Sequence, residues 1–296
     1  MRGTISLLML MFLCCSVTAC AQDMSGNHNH GAPAASPASS DNMVSQEWAK
    51  QRVEKSPRHR EWVKVKNGTR EVNSFVVYPE NKNKATAVIV IHEIFGMSDW
   101  VQSLTDQLAE AGYVAIAPDL LSGMGPNGGG TSSLSGNAVG QAIQALPPDQ
   151  ITADLNAVAD YISKVPASNG KIVVTGYCWG GSQSFRYATN NPNVKAAFVF
   201  YGSAPASADG TPDKTALAKI KAPVYGFYAG NDARINATLP KTVEAMTELK
   251  KTFDPVTYEG AGHGFMRAGE APDANEANKK ARDDAWARWK KILAGI

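Results

Sequence analysis

The chain has 296 residues, 44% of them hydrophobic and 19% charged, with a formal net charge of +2. That mixture suits a globular body with room for a large core. A near-neutral balance without a long basic run or an acidic tail gives no reason to expect a nucleic-acid binder or a disordered partner arm.

Residues 1–21 read as an export signal. Arg2 supplies a positive start, and Ile5 to Val17 is an apolar run too short to span a bilayer comfortably. Two processing routes fit. Ala19-Cys20-Ala21 has the A-x-A form of an ordinary cleavage site and would leave Gln22 first. Val17-Thr18-Ala19-Cys20 resembles a bacterial lipobox and would leave a lipidated Cys20, the favoured reading. The expected location is the periplasm or a membrane-anchored lipoprotein, with secretion as the alternative. Cys14 and Cys15 are lost either way, so Cys178 is the one cysteine of the mature body.

Residues 22–45 form a linker rich in Gly, Asn, Ala, Pro and Ser, with no apolar period. His28 and His30 lie in it, and two histidines do not complete a zinc site.

Residues 46–296 alternate strand-like and helix-like patterns. Trp62–Val65 and Phe75–Tyr78 read as two early strands that suit an antiparallel pair. Ala87–Ile91 is a continuous β-branched run, the mark of a strand buried on both faces. A helix is predicted over Val101–Ala111 and a strand over Val114–Ala117. Gly123–Gly140 is Gly- and Ser-rich and lies past a strand's C-terminal end, which suits either a mobile flap over a pocket or a plain surface insertion. Ile151–Val165 has amphipathic helical spacing. Lys171–Thr175 is a strand, with a helix from Trp179 to about Thr189. Ala196–Tyr201 and Val224–Tyr228 are strands, Leu239–Phe253 a helix, Val256–Tyr258 a short strand and Asn275–Leu293 a closing helix. The alternation predicts one α/β domain, a mostly parallel central sheet with helices on both faces.

The strongest chemical signal is Gly176-Tyr177-Cys178-Trp179-Gly180-Gly181, between a buried strand and a helix. That is the strand–turn–helix context of the nucleophile elbow G-x-S-x-G, with cysteine in place of serine. The helix N-terminus that follows favours a thiolate. In α/β-hydrolases the chain order is nucleophile, acid, histidine. His263 is the one histidine after Cys178, in the loop Gly262-His263-Gly264-Phe265. Between them, Asp232 follows the strand Val224–Tyr228 and is the candidate acid. Asp254 is the weaker alternative, because it precedes its strand.

At these residues the chain resembles the dienelactone hydrolase family of α/β-hydrolases, over nearly all of residues 60–295. The resemblance rests on His92-Glu93-Ile94-Phe95-Gly96, the Gly-Tyr-Cys-Trp-Gly-Gly elbow, Gly230-Asn231-Asp232, and Gly262-His263-Gly264-Phe265 with Arg267. It implies the same nucleophile, acid and base. It adds Glu93 as the partner of the resting cysteine and an oxyanion hole from the N–H groups of Ile94 and Trp179. Arg267 becomes a candidate for binding a substrate carboxylate through its planar fork, against the alternative of a surface arginine. The family's type members place a second arginine after the fourth strand, but Leu120–Ile151 contains no arginine or lysine. Dienelactone itself is therefore in doubt as substrate, while ester or lactone cleavage through an acyl-thioester stands. No metal, organic cofactor or protein partner is implied. A thioesterase or peptidase would use the same triad on a different acyl donor, and an anchored binding protein would have no use for all three residues.

Overall fold

In the computed structural model, which describes residues 46–296, the apolar runs align as one eight-stranded sheet. The export signal, Cys20 and the linker over 22–45 lie outside the described residues. The strands are β1 (Arg60–Asn67), β2 (Arg70–Val77), β3 (Ala85–Ile91), β4 (Val114–Pro118), β5 (Ser168–Tyr177), β6 (Ala197–Phe200), β7 (Val224–Ala229) and β8 (Phe253–Tyr258). The helices are α1 (Glu47–Glu54), α2 (Asp99–Glu110), α3 (Asn137–Gln144), α4 (Pro148–Lys164), α5 (Trp179–Asn190), α6 (Lys214–Leu217), α7 (Ala233–Asn236), α8 (Leu239–Glu248), α9 (Phe265–Ala268) and α10 (Glu276–Leu293).

Across the sheet the order is β1-β2-β4-β3-β5-β6-β7-β8. The β1–β2 and β2–β4 pairs are antiparallel and the other five are parallel. The expected antiparallel pair at the start of the body is thus present.

All seven residues of β3 are buried, as its unbroken apolar run demands. The strand period of two sends them to opposite sides. Ala87, Ile89 and Ile91 join the core under α3, α4 and α5, whereas Val88 and Val90 join the core under α2 and α10. Each such Val or Ile contributes ~1.5–3 kcal/mol through burial. The two covered faces leave the C-terminal strand ends as the place where loops from several elements meet.

Besides the short helices α6, α7 and α9, which the sequence reading does not include, three features differ from it. Helix α8 ends at Glu248 rather than running to 253, because Lys250 takes a left-handed φ of 54° and turns the chain into β8. Phe253 then pairs with Val224 in register. Pro255 is tolerated inside β8 because that strand lies at the sheet edge. The Gly-rich stretch after β4 holds two short 3₁₀ turns, Pro126–Gly128 and Thr131–Ser133, and runs into α3, which buries Val139 and Ile143. It is not a bare insertion, since its middle is hydrogen-bonded to the turn after β4. Helix α1 is largely polar, and Ala49 and Val53 are its buried residues.

Candidate active site

Cys178 occupies the turn between β5 and α5 with φ 57° and ψ −119°. A non-glycine residue at positive φ costs ~1–3 kcal/mol and persists only when its surroundings fix it. Here its N–H donates to Phe200 O at 3.1 Å, and its carbonyl accepts from Gly181 N–H at 3.0 Å. Gly180 has to lack a side chain, because a Cβ there would overlap the carbonyl oxygens of Ile91 and His92. The first turn of α5 therefore lies directly against the end of β3. This contact brings Trp179 beside the loop that holds Glu93 and Ile94. The thiol is half-buried and forms no disulfide among the described residues.

His263 follows β8, and its Nδ1 is 2.5 Å from Asp232 Oδ2. Asp232 follows β7, and its Oδ1 accepts from Ile235 N–H at 3.3 Å, which caps α7. Burial would lift the Asp232 carboxyl, but the His263 hydrogen bond and charge hold it below its ordinary value. Burial likewise disfavours the imidazolium of His263. The hydrogen bonding and charge of Asp232 and Cys178 outweigh that and push its pKa up to about 9. Among the described residues the side-chain hydrogen bond of His263 is the one to Asp232. Asp254, the weaker candidate for the acid, instead pairs with Arg288 at 3.0 Å.

Glu93 is 2% exposed, and its Oε2 accepts from Arg267 Nε at 2.8 Å. The Arg267 guanidinium also lies over the Phe95 ring, 5.0 Å from its centre. Glu93 is the main cause of an upward shift in the Arg267 pKa. The carboxylate thus bonds to Arg267 rather than to the resting thiol, the partner implied by the family resemblance. The terminal nitrogens of Arg267 make no hydrogen bond among the described residues, and its side chain is 18% exposed. Breaking a buried ion pair by removing one partner costs ~3–5 kcal/mol. Arg267→Ala should therefore lower the thermal midpoint, and turnover of anionic esters should fall further than that of neutral ones; equal losses would remove Arg267 from substrate binding. Adding Glu93→Gln should recover part of the stability, and strictly additive losses in the double variant would show that the pair is not coupled.

The backbone N–H groups of Ile94 and Trp179 likewise have no acceptor among the described residues. Two residues to which the sequence reading gives no role in the site shape their surroundings. His92 is fully buried, and burial pushes its pKa down, so the ring is neutral. It stacks on Trp179 with centroids 5.5 Å apart. Tyr201 sits at φ 40° past β6, with its ring edge-on to His263 at 5.0 Å. A tyrosine in an apolar run reads as core, so only its place just past a strand end could have singled it out.

The architecture is that of the α/β-hydrolases, which hang nucleophile, acid and base, in this chain order, from their strand ends. The dienelactone hydrolase family model matches residues 72–296, and the chain belongs to that family. It is 31% identical over 258 residues to the Saccharolobus solfataricus protein named "Putative carboxymethylenebutenolidase", covering 76% of this chain and 95% of the relative. A Salmonella typhi protein of the same name is 34% identical over 208 residues, or 68% of this chain and 74% of that one. Among solved structures, "Putative Dienelactone Hydrolase" from Klebsiella pneumoniae superposes with a TM-score of 0.70 at 26% identity, covering 81% of this chain and 99% of the other. The protein is accordingly an ester hydrolase of the dienelactone hydrolase type.

Proposed function

We propose that the enzyme cleaves small carboxylic esters or lactones by two-step acyl transfer, with Cys178 as nucleophile, His263 as base and Asp232 as its orienter. The observation that carries this reading is the 2.5 Å bond between His263 and Asp232, together with a cysteine held at positive φ in the turn between β5 and α5. The Cys178 thiolate attacks the carbonyl carbon, and the carbonyl oxygen takes up the negative charge. The free N–H groups of Ile94 and Trp179 receive that oxyanion, each worth ~3 kcal/mol. Collapse of the tetrahedral intermediate expels the alkoxide, which takes the proton from His263, and leaves an acyl-thioester. Water, deprotonated by His263, then attacks the thioester, and the acid departs with regeneration of the thiolate. In a lactone the alcohol stays tethered until this second step.

Glu93 and Arg267 line the same site. Their pairing keeps the Glu93 charge from opposing the thiolate, and the terminal nitrogens of Arg267 suit one substrate carboxylate. With no second cation between Leu120 and Ile151, neutral or singly charged esters and lactones fit better than a substrate held by two arginines. Steady-state rates on neutral esters, anionic esters, lactones, thioesters and peptides test this, with mass analysis of the acyl-enzyme. An acyl group found on Cys178 supports the mechanism; turnover confined to peptides defeats the ester assignment.

We also infer export with a lipid on Cys20, supported by Val17-Thr18-Ala19-Cys20 and the Gly/Ser/Pro-rich stretch that follows. Intact-mass analysis of membrane-fraction protein should find Cys20 first and modified. An unmodified Gln22 terminus in the soluble periplasm would remove the anchor and leave export standing.

A further inference from the structure

Asp119 is a buried carboxylate that the acyl-transfer steps do not use. It is 6% exposed and forms no ion pair with a lysine or arginine among the described residues. Such a charge is tolerated only when hydrogen bonds replace its water. Its Oδ2 accepts from Thr131 N–H at 2.8 Å, and its Oδ1 accepts from the Thr131 hydroxyl at 2.7 Å and from Leu121 N–H at 3.1 Å. With its proton committed to Asp119, the Thr131 hydroxyl offers only lone pairs to its other neighbour. It accepts from Met97 N–H at 3.1 Å.

Met97 closes the short loop that leaves β3 and carries Glu93 and Ile94. At Gly96, where φ is 69°, a Cβ would overlap the Thr131 hydroxyl, so loop and latch are in direct contact. The start of the loop is braced from the same turn. His92 Nε2 accepts from Leu120 N–H at 3.4 Å, which leaves Nδ1–H to donate to the Glu93 carbonyl at 2.9 Å. Both ends of residues 92–97 are thus hydrogen-bonded to the turn after β4, one through His92 and one through Thr131.

We propose that Thr131, set by Asp119, is a positioning residue for catalysis: it holds the 92–97 loop so that the Ile94 N–H points where the oxyanion forms. This rests on the acyl-transfer reading above. Oxyanion donors act over 2.7–3.1 Å from the charged oxygen, so slack in the loop weakens the transition state more than it weakens ground-state binding. The role also explains why a Gly-rich stretch is tied down at Thr131.

Thr131→Val keeps the shape and deletes the hydroxyl. For a small aryl ester its kcat should fall about 10–100-fold while KM stays within about twofold. Iodoacetamide should label its Cys178 at the wild-type rate, because alkylation needs no oxyanion donor. Hydrogen exchange over residues 94–97 should quicken, and Thr131→Ser should restore both kcat and exchange. If valine prevents folding, Thr131→Ala takes its place in the same comparison. Unchanged kcat and exchange in a folded variant would overturn the proposal. So would a serine variant as slow as the valine one, or labelling lost in step with kcat, which would move the fault to the elbow. Exchange does not depend on which residue is the nucleophile. If Cys178→Ala retained activity, the acyl-transfer reading would fall, and the latch would still be judged by exchange.

Discussion

Replacing Cys178 by alanine should lower turnover of a simple aryl ester by at least about 10⁴-fold, to the level left by binding and oxyanion donors alone. The fold should survive the change. Alanine tolerates the φ of 57° about as well as cysteine does, and the hydrogen bonds that fix the elbow come from the backbone. Iodoacetamide labelling within residues 46–296 should vanish near neutral pH, because Cys178 is the one cysteine there. Cys178→Ser should recover little, since a hydroxyl is far harder to ionise than a thiol and the site is arranged for a thiolate. Full activity in a correctly folded Cys178→Ala protein would remove the nucleophile and the acyl-thioester with it.

The parts of the fold legible in the sequence are those where one physical demand dominates. Ala87–Ile91 can only be a strand buried on both faces, and it is. The elbow was legible because its glycines answer a backbone clash, seen at Gly180 against Ile91 and His92. Asp232 and His263 were legible from chain order and strand ends, and the structure brings them together. What stayed hidden depends on contacts between distant segments. The Glu93–Arg267 bond joins residues 174 positions apart, and nothing in either segment announces the other. The Thr131 latch sits in a stretch whose composition suggests an unstructured insertion. The end of α8 was missed because Phe253 continues a helical spacing and yet pairs with β7. Helix α1 has too narrow an apolar face to stand out.

Asp232→Asn should reduce turnover by about 10²–10⁴-fold and reshape its pH dependence. The carboxylate and the thiol hold the His263 pKa up to about 9, from an ordinary 6.5. Without the carboxylate that value should move back toward 6.5, and the imidazole loses its orienting partner. At pH 8 the wild-type ring still carries its second proton, whereas the variant's ring would have lost most of it. Iodoacetamide labelling near neutral pH should accordingly be slower in the variant, because less imidazolium is present to favour the thiolate. Stability follows the same sign. A raised histidine pKa contributes stability that is fully present below about 6.5 and is lost as pH rises through about 9. The lowered Asp232 pKa acts at the other end, contributing above the ordinary carboxylate range and fading as pH falls through it. Thermal midpoints of the wild type should therefore decline between about pH 6.5 and 9, and that decline should flatten in Asp232→Asn. The ring is 33% exposed, so solvent screening keeps this stability effect small beside the catalytic one. Labelling profiles that coincide for wild type and variant from pH 6 to 10 would show that Asp232 does not govern the protonation of His263, and would reopen the choice of acid.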